Sequence, residues 1–303
     1  MKNKNTANKP KLHIVGHGAI GLLLAYYLRQ YFDITLIVRN KKKHTETVLF
    51  NELNRSLCEF KVTTATCDEV QHIEQLIIPT KSHQVDAVLD SLKNKLADTA
   101  TVILCHNGMP NLALIKQKLA KQQVYFLTTS MAALKHADFT VEHTGFGASF
   151  IGALKTNGQK TQAIEYLLNA LPNITIEQNI NALLWQKLII NIAINPLTAV
   201  HQVKNGALVA PQYASDIFGL VNEAVFIANK EGMKISLNSA LESAYRVMRA
   251  TAQNFSSMNR DVFKQQQTEI DSICGYIHKK GAEYCYPTPF NSRFLTLIQG
   301  DTP

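Results

Sequence analysis

Leu12-His13-Ile14-Val15-Gly16-His17-Gly18-Ala19-Ile20-Gly21-Leu22-Leu23-Leu24 decides the fold of this chain. A short apolar run enters a glycine-spaced turn, and an apolar helix leaves it. Strand, turn and helix in that order form the context in which GxGxxG spacing cradles the pyrophosphate of a dinucleotide. Gly16 permits the tight turn, Gly18 lets phosphate oxygens reach the backbone, and Gly21 lets the helix sit close on the strand. The start of the helix adds free N–H groups and the positive end of its dipole. His17, Ala19 and Ile20 fill the other positions of the turn. The plainer reading, a turn without a ligand, leaves the three-glycine spacing unexplained.

About twenty residues on, at the end of the second strand, NAD enzymes usually place Asp or Glu against the ribose hydroxyls. This chain has Arg39, followed by Lys41, Lys42 and Lys43. A guanidinium pairs with a 2′-phosphate, so the cofactor predicted is NADP(H). Taken singly, each lysine of the run also reads as a solvated side chain.

Outward from this turn, short β-rich runs alternate with helical patterns. Strands are predicted at 12–15, 34–38, 75–79, 101–105 and 124–128, with helices at 19–31, 84–95 and 111–121 between them. Antiparallel strands follow near 139–143 and 149–154, and a further strand near 174–177. This is the signature of a Rossmann-type, doubly wound α/β domain on a mainly parallel sheet. Beyond residue 179 helical periodicity takes over, at 182–194, 213–231, 239–257, 268–280 and 292–298. The expectation is a cofactor domain over 1–178, with 1–10 as a flexible tail, and an all-α domain over 179–303.

Composition narrows the function. At 303 residues the chain has room for two domains, and 46% hydrophobic with 18% charged residues is a globular content. No apolar run reaches the roughly 18 to 20 residues of a bilayer span, and no signal peptide is recognised, so the expected location is the cytoplasm without a membrane partner. Five cysteines without a CxxC pair point away from a disulfide framework and a zinc site. The net charge of +8 is scattered except at 39–43, and no aromatic-basic interleaving suggests nucleic acid. No metal is expected. The oligomeric state, monomer or homodimer, is left open.

Two strand ends carry candidate chemistry. Thr80-Lys81 and His106-Asn107-Gly108 follow buried strands at the edge where ligands bind in open α/β sheets. Lys81 reads as a cofactor contact or a solvated lysine, Asn107 as a donor and acceptor for nicotinamide or substrate or as an ordinary Asn-Gly turn. In the second half, Lys187, Asn191 and Asn195 recur at i, i+4, i+8 and form one polar stripe on an otherwise apolar helix. If the helix is buried the stripe needs partners, which a ligand in a cleft supplies. A lysine removed from water releases its proton more readily, which suits Lys187 to protonate a carbonyl oxygen. Alternatively the lysine lies at the surface and the asparagines bond internally. Ser257 and Glu269 read from spacing alone as a helix cap and a solvated or paired carboxylate.

Taken together, these motifs resemble the ketopantoate reductase (2-dehydropantoate 2-reductase) family over nearly the whole chain. The resemblance rests on the 16–21 turn, Thr80-Lys81, His106-Asn107-Gly108, Leu184-Trp185-Gln186-Lys187-Leu188 through Asn195-Pro196-Leu197-Thr198-Ala199, Asn205-Gly206, 254–258 and Thr268-Glu269-Ile270-Asp271. It implies NADPH-dependent reduction of ketopantoate on the route to pantothenate and coenzyme A. Lys187 is then the general acid, and Glu269 orients the substrate and helps to position that lysine. Asn191, Asn195 and Ser257 bind the substrate, as does Asn205, while Asn107 lies between cofactor and substrate and Arg39 and Lys81 serve NADPH. The polar extension before Leu12, and His17 and Ser82, depart from the pattern without removing a role. Two alternatives stay open: a reductase of another 2-keto acid or keto-imine on the same scaffold, and a noncatalytic NADPH-sensing protein.

Overall fold

The computed structural model describes residues 9–156, 158 and 161–300. The predicted tail at 1–10 lies mostly outside them. Two compact units form: one from residues 1–106 and 111–180, the other from Asn107–Pro110 and Asn181–Pro303.

In the first unit β1 (Lys11–Val15) pairs in parallel with β2 (Asp33–Ile37) and β5 (Ile73–Ile78). β6 (Leu96–Leu104) and β7 (Gln123–Thr129) extend the parallel sheet, and β10 (Ser149–Lys155) closes antiparallel on β7, followed by the short β11 (Ile174–Ile176). On the other side β4 (Leu57–Ala65) joins β2, and β3 (Thr45–Asn51) turns back on β4 as a hairpin. The hairpin of β8 (Ala132–Ala137) and β9 (Thr140–Gly145) then pairs with β3. The result is an eleven-stranded sheet in the order β11-β10-β7-β6-β5-β1-β2-β4-β3-β9-β8.

The first helix, α1 (Ala19–Leu28), is apolar on nearly every side because the sheet curls round it: β8 and β9 pack against it as well as β1 and β3. Leu22, Leu23, Leu24 and Leu28 are fully buried, each contributing about 1.5–3 kcal/mol. They meet Ile14, Leu36, Val48 and Phe50, together with Ile164 and Leu167 of α4 (Gln162–Ala170). Alternate residues of the same strands, such as Leu76, Val102 and Phe126, belong to the second layer, where α2 (Val85–Leu92) and α3 (Leu112–Lys118) pack on each other. The doubly wound expectation is met. Three strands and one helix go beyond it: β3, β4, β8 and α4.

The second unit is helical. Its spine is α5 (Ile180–His201), 22 residues long, which runs straight through Pro196 although the sequence reading ended it at 194. Burial keeps it continuous: residues 192–199 are all buried, and the Thr198 hydroxyl donates to the Ile194 carbonyl (2.8 Å) in the same turn. By length and mean hydropathy (1.3) this helix qualifies as a membrane span, and 67% of that window is buried inside the protein. α6 (Ala214–Lys230) and α10 (Pro289–Gly300) meet at Glu223, whose carboxylate accepts from the Phe290 (2.8 Å) and Asn291 (2.9 Å) backbone N–H groups. That buried acid caps α10 where the helix dipole is positive.

The predicted 239–257 helix is in fact two, α7 (Leu237–Ala250) and α8 (Ser257–Phe263). A turn at 251–254 separates them, and Ser256 caps α8 by accepting from the Asn259 N–H (3.1 Å). The predicted 268–280 helix likewise begins late, as a single tight turn (Ile270–Ser272) before α9 (Cys274–Glu283).

Candidate active site

Parallel pairing of β2, β1 and β5 brings the residues after each strand to one edge of the first unit: Arg39, the 16–21 turn and Lys81. At the turn Gly16 has φ +80°, a conformation that L side chains rarely adopt. No atom lies within 4 Å of where a Cβ would stand on Gly16 or Gly18, so the backbone there is open to a ligand. Gly21 is the packing glycine: its Cβ would meet the Gly16 carbonyl at 3.3 Å and Pro79 at 3.4 Å. Gly18 caps α1 without a side-chain bond, and no acidic residue stands in the first turn, leaving these N–H groups for an anion.

Around the turn the charges differ in their commitments. Lys41 pairs with Glu69 (2.6 Å) and Lys42 with Asp138 (3.3 Å), so the positive run expected at 41–43 is partly neutralised. Arg39 is exposed and has no carboxylate partner among the described residues. His17 shares a hydrogen bond with Asp138 (3.2 Å), and its ring stacks on Phe139 at 4.9 Å. Lys135, then Lys42 and His17, hold the Asp138 carboxyl down to about 2. Asp138 and Phe139 form the tip of the β8–β9 hairpin, whose second strand is the one expected near 139–143 and whose first strand has no local signal in the sequence. Lys81 is half-buried beside Thr80, whose hydroxyl is buried without a hydrogen-bond partner. An uncapped helix start, a turn open at Gly16 and Gly18 and a guanidinium fit the phosphates of a dinucleotide.

The second unit gathers the other candidates. Lys187, Asn191 and Asn195 all fall on α5, about 6 Å apart along its axis at successive four-residue steps. Their burial deepens along the stripe, Lys187 and Asn191 being half-buried and Asn195 only 7% exposed. Glu269, 8% exposed, accepts from the Asn107 side-chain amide at 3.0 Å. The Asn107–Pro110 segment belongs to this unit because its backbone docks on the turn after Glu269. There the Met109 N–H donates to the Ser272 carbonyl (3.3 Å), and the Ser272 hydroxyl donates to the Glu269 carbonyl (3.0 Å). Gly108, at φ +78°, lies so close that a Cβ would stand 2.4 Å from the Ser272 oxygen.

The remaining candidates sit in a neighbouring network. Thr198 of α5 bonds the Ser256 hydroxyl (2.7 Å), and Asn259 donates to the Thr198 carbonyl (2.7 Å), which ties the start of α8 to the helix of the stripe. Ser257 is exposed as the first residue of α8, so the cap is Ser256 and not Ser257. Asn205 is 7% exposed: its amide donates to Thr251 (2.9 Å), its backbone N–H to the Asn254 carbonyl (2.9 Å), and its side-chain oxygen is buried without a partner. Ser272 and Asp138 are absent from the sequence reading, since each acts through contacts with residues distant in the chain, and Ser256 stands there only as part of 254–258, without a role of its own. Among the described residues no cluster of three metal-ligating side chains forms.

Comparison with known proteins covers both halves. Residues 12–156 match the family described as Ketopantoate reductase PanE/ApbA, and residues 179–301 its C-terminal counterpart. The chain is 35% identical over 287 residues to a 2-dehydropantoate 2-reductase of Vibrio cholerae, spanning 94% of this chain and 96% of that one. It is 31% identical over 279 residues to the enzyme of that name from Bacillus subtilis, spanning 90% and 91%. Among solved structures, a probable 2-dehydropantoate 2-reductase from Bacillus subtilis superposes with a TM-score of 0.81 at 28% identity, covering 96% and 99% of the two chains. A D-mandelate dehydrogenase with NADH and anilino(oxo)acetate shares the fold, with a TM-score of 0.88 at 21% identity over 96% and 98%.

Proposed function

The chain belongs to the ketopantoate reductase family of oxidoreductases, and from that premise we propose that it is an NADPH-dependent 2-dehydropantoate 2-reductase of the cytoplasm, producing pantoate for pantothenate and coenzyme A. The observation that carries this reading is the α5 stripe of Lys187, Asn191 and Asn195, which places one ammonium and two side-chain amides on a single face of a largely buried helix, the set of groups that reduction of an anionic 2-keto acid calls for. The 16–21 turn would hold the pyrophosphate of a reduced nicotinamide dinucleotide, which when bound would supply the hydride for the 2-keto carbon.

Each residue then has a task. The Lys187 ammonium gives a proton to the keto oxygen as negative charge develops there, so that hydride and proton together yield the alcohol. Asn191, Asn195, Asn205 and Ser257 bind the carboxylate and hydroxyl of the substrate. Glu269 orients the substrate and helps to position Lys187, while its bond from Asn107 fixes its carboxylate plane. Asn107 lies between substrate and cofactor. Arg39, standing where NAD enzymes carry an acid, receives the 2′-phosphate, with Lys81 as a further cofactor contact and 16–21 as the pyrophosphate cradle.

The test is NADPH oxidation followed at 340 nm with ketopantoate, other branched 2-keto acids and benzoylformate, the 2-keto acid corresponding to mandelate. Ketopantoate should give the highest kcat/KM, and NADPH should exceed NADH. A higher kcat/KM for another keto acid assigns the scaffold to that substrate. No turnover with any of them refutes the catalytic reading.

A further inference from the structure

A second basic cleft lies in the first unit, away from the glycine turn. β2 passes into β3 through residues 38–44 with no helix between, and β3 returns as β4 by a hairpin, so no crossover helix covers the sheet face opposite α1 at these strands. The strand register decides what that face carries. Lys11 pairs with Asp33, while Thr35 pairs with Thr63 and Thr63 with Thr45. Stepping back two residues on β2 and β4 sets Asp33 beside Lys61. One row across the strands is therefore Lys11, Asp33, Lys61, and the next carries the three threonines. Their neighbours Leu12, Ile34 and Val62 belong to the core around α1, Ile34 and Val62 also reaching the wall of the cleft.

This face opens into a cavity of about 610 Å³, to which Lys9 and Arg29 also contribute. Its lining holds three lysines, Lys9, Lys11 and Lys61, and a single carboxylate, Asp33; Arg29 is the fourth cation of the lining, its guanidinium laid on the Tyr26 ring 3.9 Å from the centroid and donating to the Tyr26 carbonyl. None of the four meets a carboxylate within ion-pair distance among the described residues. Several other lysines of the unit do pair: Lys41, Lys93, Lys118 and Lys121 each meet Asp or Glu. Unneutralised like charges around one concavity repel each other and attract a multivalent anion, and threonine hydroxyls beside them donate to its oxygens.

We propose that this cleft is a binding site for a small molecule bearing a polyphosphate chain, separate from the cofactor site. Lys11 opens β1 and Gly16 follows its end, which sets the lysine row about 16 Å along the strand from the phosphate-binding turn, on the sheet face that α1 does not cover. The volume lies within the range of small-molecule sites, roughly 300–1,000 Å³, and leaves room for a group attached to the phosphates.

Isothermal titration of the full chain with sodium tripolyphosphate, at fixed ionic strength and with saturating NADP⁺, tests the proposal. The expected result is a one-to-one isotherm that NADP⁺ leaves in place and that Arg39→Ala does not alter. In the Lys11→Gln/Lys61→Gln double variant, whose exposed side chains leave folding and turnover intact, affinity should fall at least about tenfold. ATP in place of tripolyphosphate reads the rest of the cavity: tighter binding assigns it a nucleoside, equal binding a bare phosphate chain. No saturable binding at millimolar tripolyphosphate overturns the proposal. So does binding that NADP⁺ abolishes, or that the double variant leaves unchanged.

Discussion

Replacing Gly108 with Ala probes the contact that aligns Asn107 with Glu269. Gly108 sits at φ +78°, where an L side chain costs about 1–2 kcal/mol. Its new Cβ would also stand 2.4 Å from the Ser272 hydroxyl oxygen, 2.5 Å from the Ser272 carbonyl and 2.7 Å from its Cβ. Overpacking of this kind costs about 1–3 kcal/mol, so the strain totals about 2–5 kcal/mol if the loop stays in place. The loop can instead retreat, giving up the Met109 bond to Ser272 and the Asn107 bond to the Glu269 carboxylate. A hydrogen bond to a charged group is worth about 1.5–3 kcal/mol. If retreat is the cheaper course, kcat/KM for the keto acid falls by about 10- to 150-fold, with only a small loss in urea stability. Adding Ser272→Ala does not restore activity, because the carbonyl at 2.5 Å belongs to the backbone and remains. Steady-state kinetics and urea titration of both variants are the assay. Stability that drops while kcat/KM stays at the wild-type value would sink the idea that this contact serves Glu269.

Lys187→Ala should lower turnover at least about a hundredfold and leave NADPH binding, measured by fluorescence titration, nearly unchanged; near-normal turnover rejects its role as proton donor. Arg39→Ala should weaken NADPH much more than NADH, and equal weakening of both cofactors rules out the 2′-phosphate contact. Burial holds the pKa values of His13 and His143 below their usual range, so on acidification the unfolded chain takes up protons that the folded chain refuses. Stability is therefore lost as pH falls below about 6.5, and His13→Leu should flatten that dependence in thermal melts; an unaltered slope contradicts it. Gly219→Ala drives a Cβ to 2.4 Å from the Phe290 ring and should lower Tm by roughly 2–12 °C, with no change refuting the packing argument.

The glycine turn was legible because strand, spacing and helix are contiguous, and the stripe because i, i+4, i+8 is a property of one helix. The β3–β4 hairpin left a trace as well: Val48 and Phe50 point inward at alternate positions of the Val48-Leu49-Phe50 run between Thr47 and Asn51, but the charged run at 39–43 masks the start of the strand. β8, Ala-Ala-Leu-Lys-His-Ala, carries no such trace, since most of its side chains are exposed and pairing with β9 holds it in place. Pro196 misled in the opposite sense: local chemistry ends a helix there, and tertiary burial carries it on. Asn107 and Glu269 were separately visible, yet they stand 162 positions apart in the chain, and no periodicity reaches that far.

The backbone passes from one unit to the other three times: on entering Asn107, on leaving Pro110, and after Ile180. A gene truncated to encode 181–303 therefore makes a helical half deprived of its own loop, and Glu269 loses the amide that Asn107 donates to it. Cutting at the obvious seam severs the protein through its chemistry. A workable dissection splices the 107–110 tetrapeptide onto the helical piece, or supplies it in trans.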